Sequence, residues 1–541
     1  MSLVHWVLPP GGATCSFATS ILLSVFLIPL SFLAGGCRQR LLVPGPPTYF
    51  SDADSIKLKR ITRRYLELAW ALDPELALAG SLPGFEGTLS HREWLERVFT
   101  APREVRHLRA ELGRVKERGL TGRERVDRHI LAGYLAALAA DLEVRRPWRQ
   151  DPGFYLDKVE AALARSRRID NQTARCESFR LRLEEVPRLL AAGERNLENP
   201  SPLLLRAAAA RAEELARQLA RQECCPRPYQ CCLRERLQAG AEAAARSLRA
   251  HARRLRDYTG PTRRGGWQLG EGRLGRMLRS GAGLDLAPAT LLEQLEEDRL
   301  QLRRVLEKAP ERGRSDGEGV PLRAVGTPLA AARAWCLEAG ILPLGLFPPP
   351  TAGTEGWIDA VVSSLDPGES LRLAREGYPG REAFLEALRL AGEGSLLRRG
   401  HPCLLLLEGW CSYAEDLWTE GLARPELAAQ RDRNRLAECC RARLALALHL
   451  GRVTLDEGVA ELERELGLPA TEALVTAATL ARRPLAALGW IGGKFIHRLR
   501  RQVEAGRGGA FLPALFHRRL LLAGPVPLSR MEAVLRGEST G

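Results

Sequence analysis

The chain has 541 residues, 45% of them hydrophobic and only 6% aromatic, which excludes a wholly disordered chain and exceeds what one small core needs. The net charge of +15 invites a nucleic-acid reading, but only six of the eighty basic residues are lysine, and the arginines alternate with glutamate in stretches such as "LRERLQAGAEAAARSLRAHARRLRDY". That is the pattern of solvated helix faces with i to i+4 pairs, so no nucleic-acid partner is expected.

Ala, Leu, Arg and Glu dominate, and β-branched residues are few, so the fold is expected to be mainly α, a large multi-helix architecture with little or no β-sheet. The first element is an apolar run, "SFATSILLSVFLIPLSFLAGGC", followed at once by "RQR". It is too short for a comfortable membrane span and is similar to a lipoprotein signal that ends at Cys37, the residue that would take the lipid. Residues 1–37 are therefore read as a leader and the protein as exported and lipid-anchored at the cell envelope. An uncleaved anchor, a mis-set start codon and a cytoplasmic location are the other readings, because no Lys or Arg precedes the run.

Residues 38–310 form an expected N-terminal helical half, with helix punctuation recurring from about Ser51. "SPLLLRAAAARAEELARQLARQE" starts with Ser201 as a cap and Pro202 in the first turn. It leads to "CCPRPYQCC", where Cys224, Cys225, Cys231 and Cys232 flank a proline-containing turn. A cross-turn disulfide and a four-cysteine zinc site are both open there, and C-x2-C is the commoner zinc spacing. Charged, Gly-rich "ERGRSDGEGVPLRAVG" at 311–326 marks a loop before the C-terminal half, 311–541. In that half "TPLAAARAWCLEAG" repeats the cap device with Thr327 and Pro328 and ends at Gly340, while consecutive prolines keep "GLFPPPTAGTEG" extended. Cys403, Cys411, Cys439 and Cys440 fall in helical runs and read as small apolar fillers. "TLDEGVAELERELG" opens on a capping box, Thr454 with Glu457, and closes on Gly467.

Two segments carry chemistry. In "DPGESLRLAREGYPGREAFLEAL" a helix starts at Asp366 and Pro367 and must end before Pro379 and Gly380, so Arg375 and Glu376 occupy its last turn. Thirty residues on, "CLLLLEGWCSYAEDLW" places Glu408 at the end of a greasy run, where a carboxylate wants a partner. It is either a buried salt-bridge member or a metal ligand.

Together these segments resemble the bacterial domain of unknown function 885 family, whose members look like helical zinc peptidases with a central cleft. The resemblance implies a motif H-E-x-x-P-G-H followed by E-G-W-x-x-Y-A-E. The second motif stands intact as Glu408, Gly409, Trp410, Tyr413, Ala414 and Glu415, while the first survives as Glu376, Pro379 and Gly380 alone. His449 falls where the family carries a histidine. "RRPLAALGWIGGKFIHRLR" and "FLPALFHRRLLLAGPVPLSRME" continue the likeness, and weaker echoes, among them "RRPWRQDPGFYL" and "WQLGEGRLGRMLRS", extend it over most of 60–541, so the two halves are expected to form one unit.

The departures decide the functional expectation. Arg375 and Arg381 stand where the resemblance implies histidines, and a guanidinium has no lone pair for a metal. Thr479, Leu480, Ala486, Trp490 and Ile491 replace further polar family positions. No cofactor is therefore expected, although the resemblance implies zinc, and the vestigial ligand positions are Arg375, Arg381 and Glu408. Two guanidiniums would bring the formal charge of the lost dication, with one of them reaching Glu408. His401 is a poor substitute ligand, seven residues and about 10 Å of helix from Glu408. The expected protein is an inactive peptidase-like scaffold that binds a peptide or protein partner. The alternative is an active hydrolase with a rebuilt or metal-free site, using Glu376 as base with Glu408 and His449.

Overall fold

Capping chemistry sets many of the helix limits in the computed structural model, which describes residues 52–73, 91–166, 172–221, 234–263, 265–308, 326–343, 346–347, 365–390, 396–401, 403–524 and 526–536. The helices in chain order are α1 (Asp52–Leu72), α2 (His91–Gly113), α3 (Gly122–Ala140), α4 (Pro147–Gln150), α5 (Phe154–Ser166), α6 (Gln172–Asn196), α7 (Pro202–Ala220) and α8 (Arg234–Arg256). They continue with α9 (Gly270–Met277), α10 (Pro288–Lys308), α11 (Gly326–Glu338), α12 (Pro367–Glu376), α13 (Arg381–Leu390), α14 (Leu396–Gly400) and α15 (Leu404–Leu422). The last six are α16 (Pro425–His449), α17 (Leu455–Leu466), α18 (Ala470–Arg482), α19 (Gly489–Arg507), α20 (Pro513–Ala523) and α21 (Leu528–Arg536). No strand occurs among the described residues, and the fold is mainly α as the composition requires. No described helix is long and apolar enough to cross a membrane.

Thr454 and Glu457 form the expected capping box at α17, and Gly467 ends that helix in the left-handed region at φ 63°, where glycine has no Cβ to clash. Asp366 caps α12 by accepting from the Gly368 and Glu369 amides. Ser201 has N-cap geometry before Pro202, but its hydroxyl makes no capping bond, so proline and backbone geometry alone start α7. Helix α11 begins at Gly326, which puts Thr327 inside its first turn rather than ahead of it. Cys37, Cys224, Cys225, Cys231, Cys232 and residues 311–325 lie outside the described residues. Cys403, Cys411, Cys439 and Cys440 are buried free thiols.

From Phe50 to Gly541 the chain clusters as one unit. Helices α5 to α8 pack on one another, α7 also packs on α18, and α10 packs on α16, so elements from before and after residue 311 share a core. The position of the site follows from α15 and α19, which form one of the two most extensive helix contacts. Almost every residue from Leu405 to Thr419 is buried, because α15 is packed between α12, α13, α16 and α19. The two helices touch backbone to backbone: a Cβ on Gly409 would lie 2.5 Å from the Gly492 carbonyl carbon. Only glycine permits that approach.

Candidate functional site

The break between α12 and α13 is a turn that the second motif holds from below. Gly380 tucks under the end of α12, where a Cβ would collide with the Ala374 and Arg375 carbonyl oxygens. Trp410, wholly buried on α15, donates its indole N–H to the Pro379 oxygen at 2.8 Å and to the Gly380 oxygen at 3.2 Å. Pro379, Gly380 and Trp410 thus lock the two motifs against each other. Tyr413 extends the lock. Its hydroxyl lies 3.0 Å from His517 Nε2, and His517 Nδ1 lies 2.7 Å from the Ile341 carbonyl. A carbonyl only accepts, so Nδ1 carries the proton and the Tyr413 hydroxyl donates to Nε2. Burial drives the His517 pKa down to about 4, which keeps this ring neutral.

Above the lock lies a cluster of charge. Arg381 bonds Glu376 Oε2 through Nε at 2.7 Å and Glu408 Oε1 through Nη2 at 2.8 Å. Arg375 approaches the other Glu408 oxygen, Oε2, at 3.7 Å, bonds Glu415 Oε1 at 2.9 Å and makes a close ion pair with Glu438. Both expected cations therefore reach Glu408, and between them they link four carboxylates. Gly489 on α19 closes the cluster from the far side: a Cβ there would lie 3.4 Å from Glu408 Cβ and 3.7 Å from Arg375 Nη2.

The electrostatics follow from burial. Burial opposes the Arg375 charge, but Glu438 and Glu415 outweigh it and hold the guanidinium above its ordinary value. For Glu415 the balance reverses. Burial pushes its carboxyl up to about 7 against the pull of Arg375, and Glu438 adds to the rise. Four carboxylates against two guanidiniums leave an excess of negative charge, and the most buried member answers by holding a proton near neutral pH.

Glu438, Asn434 and Ser412 complete the group without having been singled out in the sequence. Asn434 donates to Glu415 Oε2 at 3.2 Å and Ser412 to Glu438 Oε2 at 2.9 Å. The signal for Glu438 was present in "LAECC", a carboxylate among small apolar residues like the one that drew attention to Glu408. One turn further along α15, Asp416 receives Arg435 and His497, each at 2.5 Å.

His449 is not part of the site, contrary to the expectation that it could approach Glu376 or Glu408. It is fully buried, its Nε2 lies 3.3 Å from the Leu480 oxygen, and its ring meets Trp267 edge-on. Glu438 and His449 share helix α16, but eleven residues separate them, about 16 Å along the axis. His401 is also elsewhere, grouped with Tyr65 and stacked on Tyr134, ahead of the first turn of α15 rather than within that helix. Three of the remaining departures are spent on structure. Thr479 bonds the Val475 oxygen in its own helix, Leu480 is core, and Trp490 donates to Asp298 at 2.9 Å. Among the described residues no group of three or more His, Cys, Asp or Glu side chains is arranged to hold a metal ion.

The family of bacterial proteins of unknown function designated DUF885 matches residues 369–535, the part that holds both motifs and the charged cluster. The fold reaches further. A candidate lipoprotein of unknown function from Shewanella oneidensis is similar in structure at a TM-score of 0.57, with 16% identity over 88% of this chain and 99% of that one. A candidate lipoprotein from Colwellia psychrerythraea is similar at a TM-score of 0.61, with 15% identity over 89% of this chain and 99% of its own. No curated protein matches the chain.

Proposed function

We propose that this protein is a non-catalytic member of a zinc-peptidase-like lineage, a lipoprotein of the cell envelope that keeps a peptidase scaffold to bind a peptide or protein partner. The observation that carries the reading is the pairing of Arg375 and Arg381 with Glu408. The resemblance implies zinc bound by two histidines at those arginine positions together with Glu408. A guanidinium offers no electron pair, and its positive charge repels the ion. The carboxylates that would have faced a dication already have cations against them, so zinc does not fit this set of donors. The envelope location is supported by the run ending at Cys37 and by the description of the two structural neighbours as candidate lipoproteins. An active hydrolase using Glu376 with Glu408 and His449 is disfavoured, because His449 is buried three turns beyond Glu438 on α16.

The test is metal stoichiometry. After incubation with excess zinc and desalting, the protein is expected to retain less than about 0.1 zinc per chain and to leave a panel of peptides uncut. Stoichiometric zinc, removed by a chelator together with peptide hydrolysis, would defeat the proposal.

A further inference from the structure

Two of the sequence segments that the charged cluster leaves unused meet across a separate cleft. "RRPWRQDPGFYL" and "WQLGEGRLGRMLRS" supply opposite walls, and the end of α18 supplies a third. The cleft is open to solvent and has a volume of about 60 Å³, between Arg145, Gln150, Trp267, Arg273, Ala481 and Arg482. Trp267, Gln150, Leu204 and Gly266 also line an adjoining recess of about 70 Å³ that reaches Asn199, Ser201 and Arg263. Trp267 lines both hollows, and each has room for the end of a ligand, a carboxylate or a short side chain, rather than for a whole one.

The local backbone is unusual at both mouths. The five residues Asp141–Arg145 form a π-turn, and Arg146 follows at φ 43°, ψ 59°; Asn199 also has positive φ, 48°. A bulky residue in the left-handed region is uncommon, and such geometry gathers where surrounding structure must aim side chains.

Charge bookkeeping around the cleft identifies what it lacks. Asp151 is taken by Arg482 Nε at 2.6 Å and by the Gly153 amide at 2.8 Å. Arg145 is taken by Asp141 at 2.7 Å and by the Arg482 carbonyl. Arg273 and Arg263, one on each side of Trp267, make no ion pair among the described residues, and the Trp267 indole N–H makes no hydrogen bond there. Leu204, Leu269 and Ala481 line the same walls. What remains unmatched is a donor set for an anion beside an indole face and an apolar floor, which is the complement of a carboxylate carried next to an apolar group.

We propose that the Trp267 cleft binds the carboxylate end of an apolar acyl amino acid, the chemistry shared by a peptide C-terminus and a small N-acylated amino acid, with the carboxylate on Arg273 and the side chain against the indole. Arg263 faces the second pocket and serves an acidic or carbonyl group further along a longer ligand. This site is separate from the arginine–glutamate cluster and does not depend on whether that cluster binds metal.

The experiment is calorimetric titration of the full chain with four probes: acetyl-Ala-Leu, its C-terminal amide, acetyl-Leu and inorganic phosphate. The free acid is expected to bind, and the amide to bind at least about tenfold more weakly, as loss of a charged hydrogen bond implies. Arg273→Gln, an exposed position that unfolding should not register, lowers acid affinity by a similar factor, and Trp267→Phe retains more of it than Trp267→Ala. Tighter binding of acetyl-Ala-Leu than of acetyl-Leu identifies a peptide end; equal binding identifies the small acid. Equal affinity for acid and amide, indifference to Arg273→Gln, phosphate binding as tightly as the acid, or no binding of any probe would each overturn the proposal.

Discussion

The two faces of α15 use the same helix for opposite purposes. On one, Trp410 and Tyr413 make neutral hydrogen bonds to a turn and to a buried histidine. On the other, Glu408 and Glu415 meet two guanidiniums, one of which also holds the Glu438 carboxylate of α16. The neutral face fixes geometry, because its indole and phenol donate only to neutral acceptors and no proton is in play at physiological pH. The charged face fixes a proton balance, because its acids outnumber its bases. A motif such as E-G-W-x-x-Y-A-E interleaves both faces at helical spacing, so its persistence reports the scaffold and says nothing by itself about chemistry.

Breaking the neutral face should cost most. Trp410→Ala removes a wholly buried indole and both of its bonds to the Pro379–Gly380 turn, and about 3–5 kcal/mol of stability should go with it in denaturant unfolding. The loss should be nearly independent of pH between 6 and 8, and a strongly pH-dependent loss would merge the two faces into one system. On the charged face, Arg375→Ala strips the cation from Glu415 and Glu438 and leaves Glu408 to Arg381, and about 2–4 kcal/mol should be lost at pH 8, as for a buried pair broken on one side. The loss should shrink at pH 5, where Glu415, with its pKa raised to about 7, holds its proton.

The subtlest test reads the proton itself. Glu415 titrates near 7 in the folded protein, above the ordinary carboxylate value of 4.5. Its raised pKa therefore stabilises the fold most fully below about pH 4.5, and that contribution is lost as pH rises through 7. Glu415→Gln should consequently gain about 1–2 kcal/mol at pH 8 and little at pH 5. A variant less stable than the parent at pH 8 would show that the carboxylate is needed ionised.

Much of this arrangement could be read from the chain. Local rules sufficed where the determinants are local: the Asp366 cap, the Thr454 box, the stop before Pro379 and the burial demanded by "LLLLEGW". That one of Arg375 and Arg381 would reach Glu408 also followed, since two cations and one greasy carboxylate have few better options; that both do so did not. The contribution of α16 did not. Which helix face supplies Glu438, and that His449 lies three turns too far along the same helix, depend on how α16 lies against α15 and α12, and spacing within one helix carries no such information. The capping role assigned to the Ser201 hydroxyl failed for a different reason: a proline in the first turn already sets the entry, so the hydroxyl is not required.

The aromatic stack around His401 has a consequence for synthesis. Tyr65 Oη lies 2.6 Å from His401 Nδ1, Trp70 donates to the Gly400 oxygen at 2.9 Å, and the Tyr134 hydroxyl donates to the His401 oxygen at 3.0 Å. Those partners lie 336, 330 and 267 residues apart along the chain. A growing polypeptide therefore carries α1 and α3 with their aromatic surfaces uncovered until some four hundred residues have left the ribosome. Such long-range closure slows folding and prolongs the exposure of sticky surface. Under the proposed export of the chain, a late-closing core is an asset, since translocation machinery accepts a thread more readily than a finished globule.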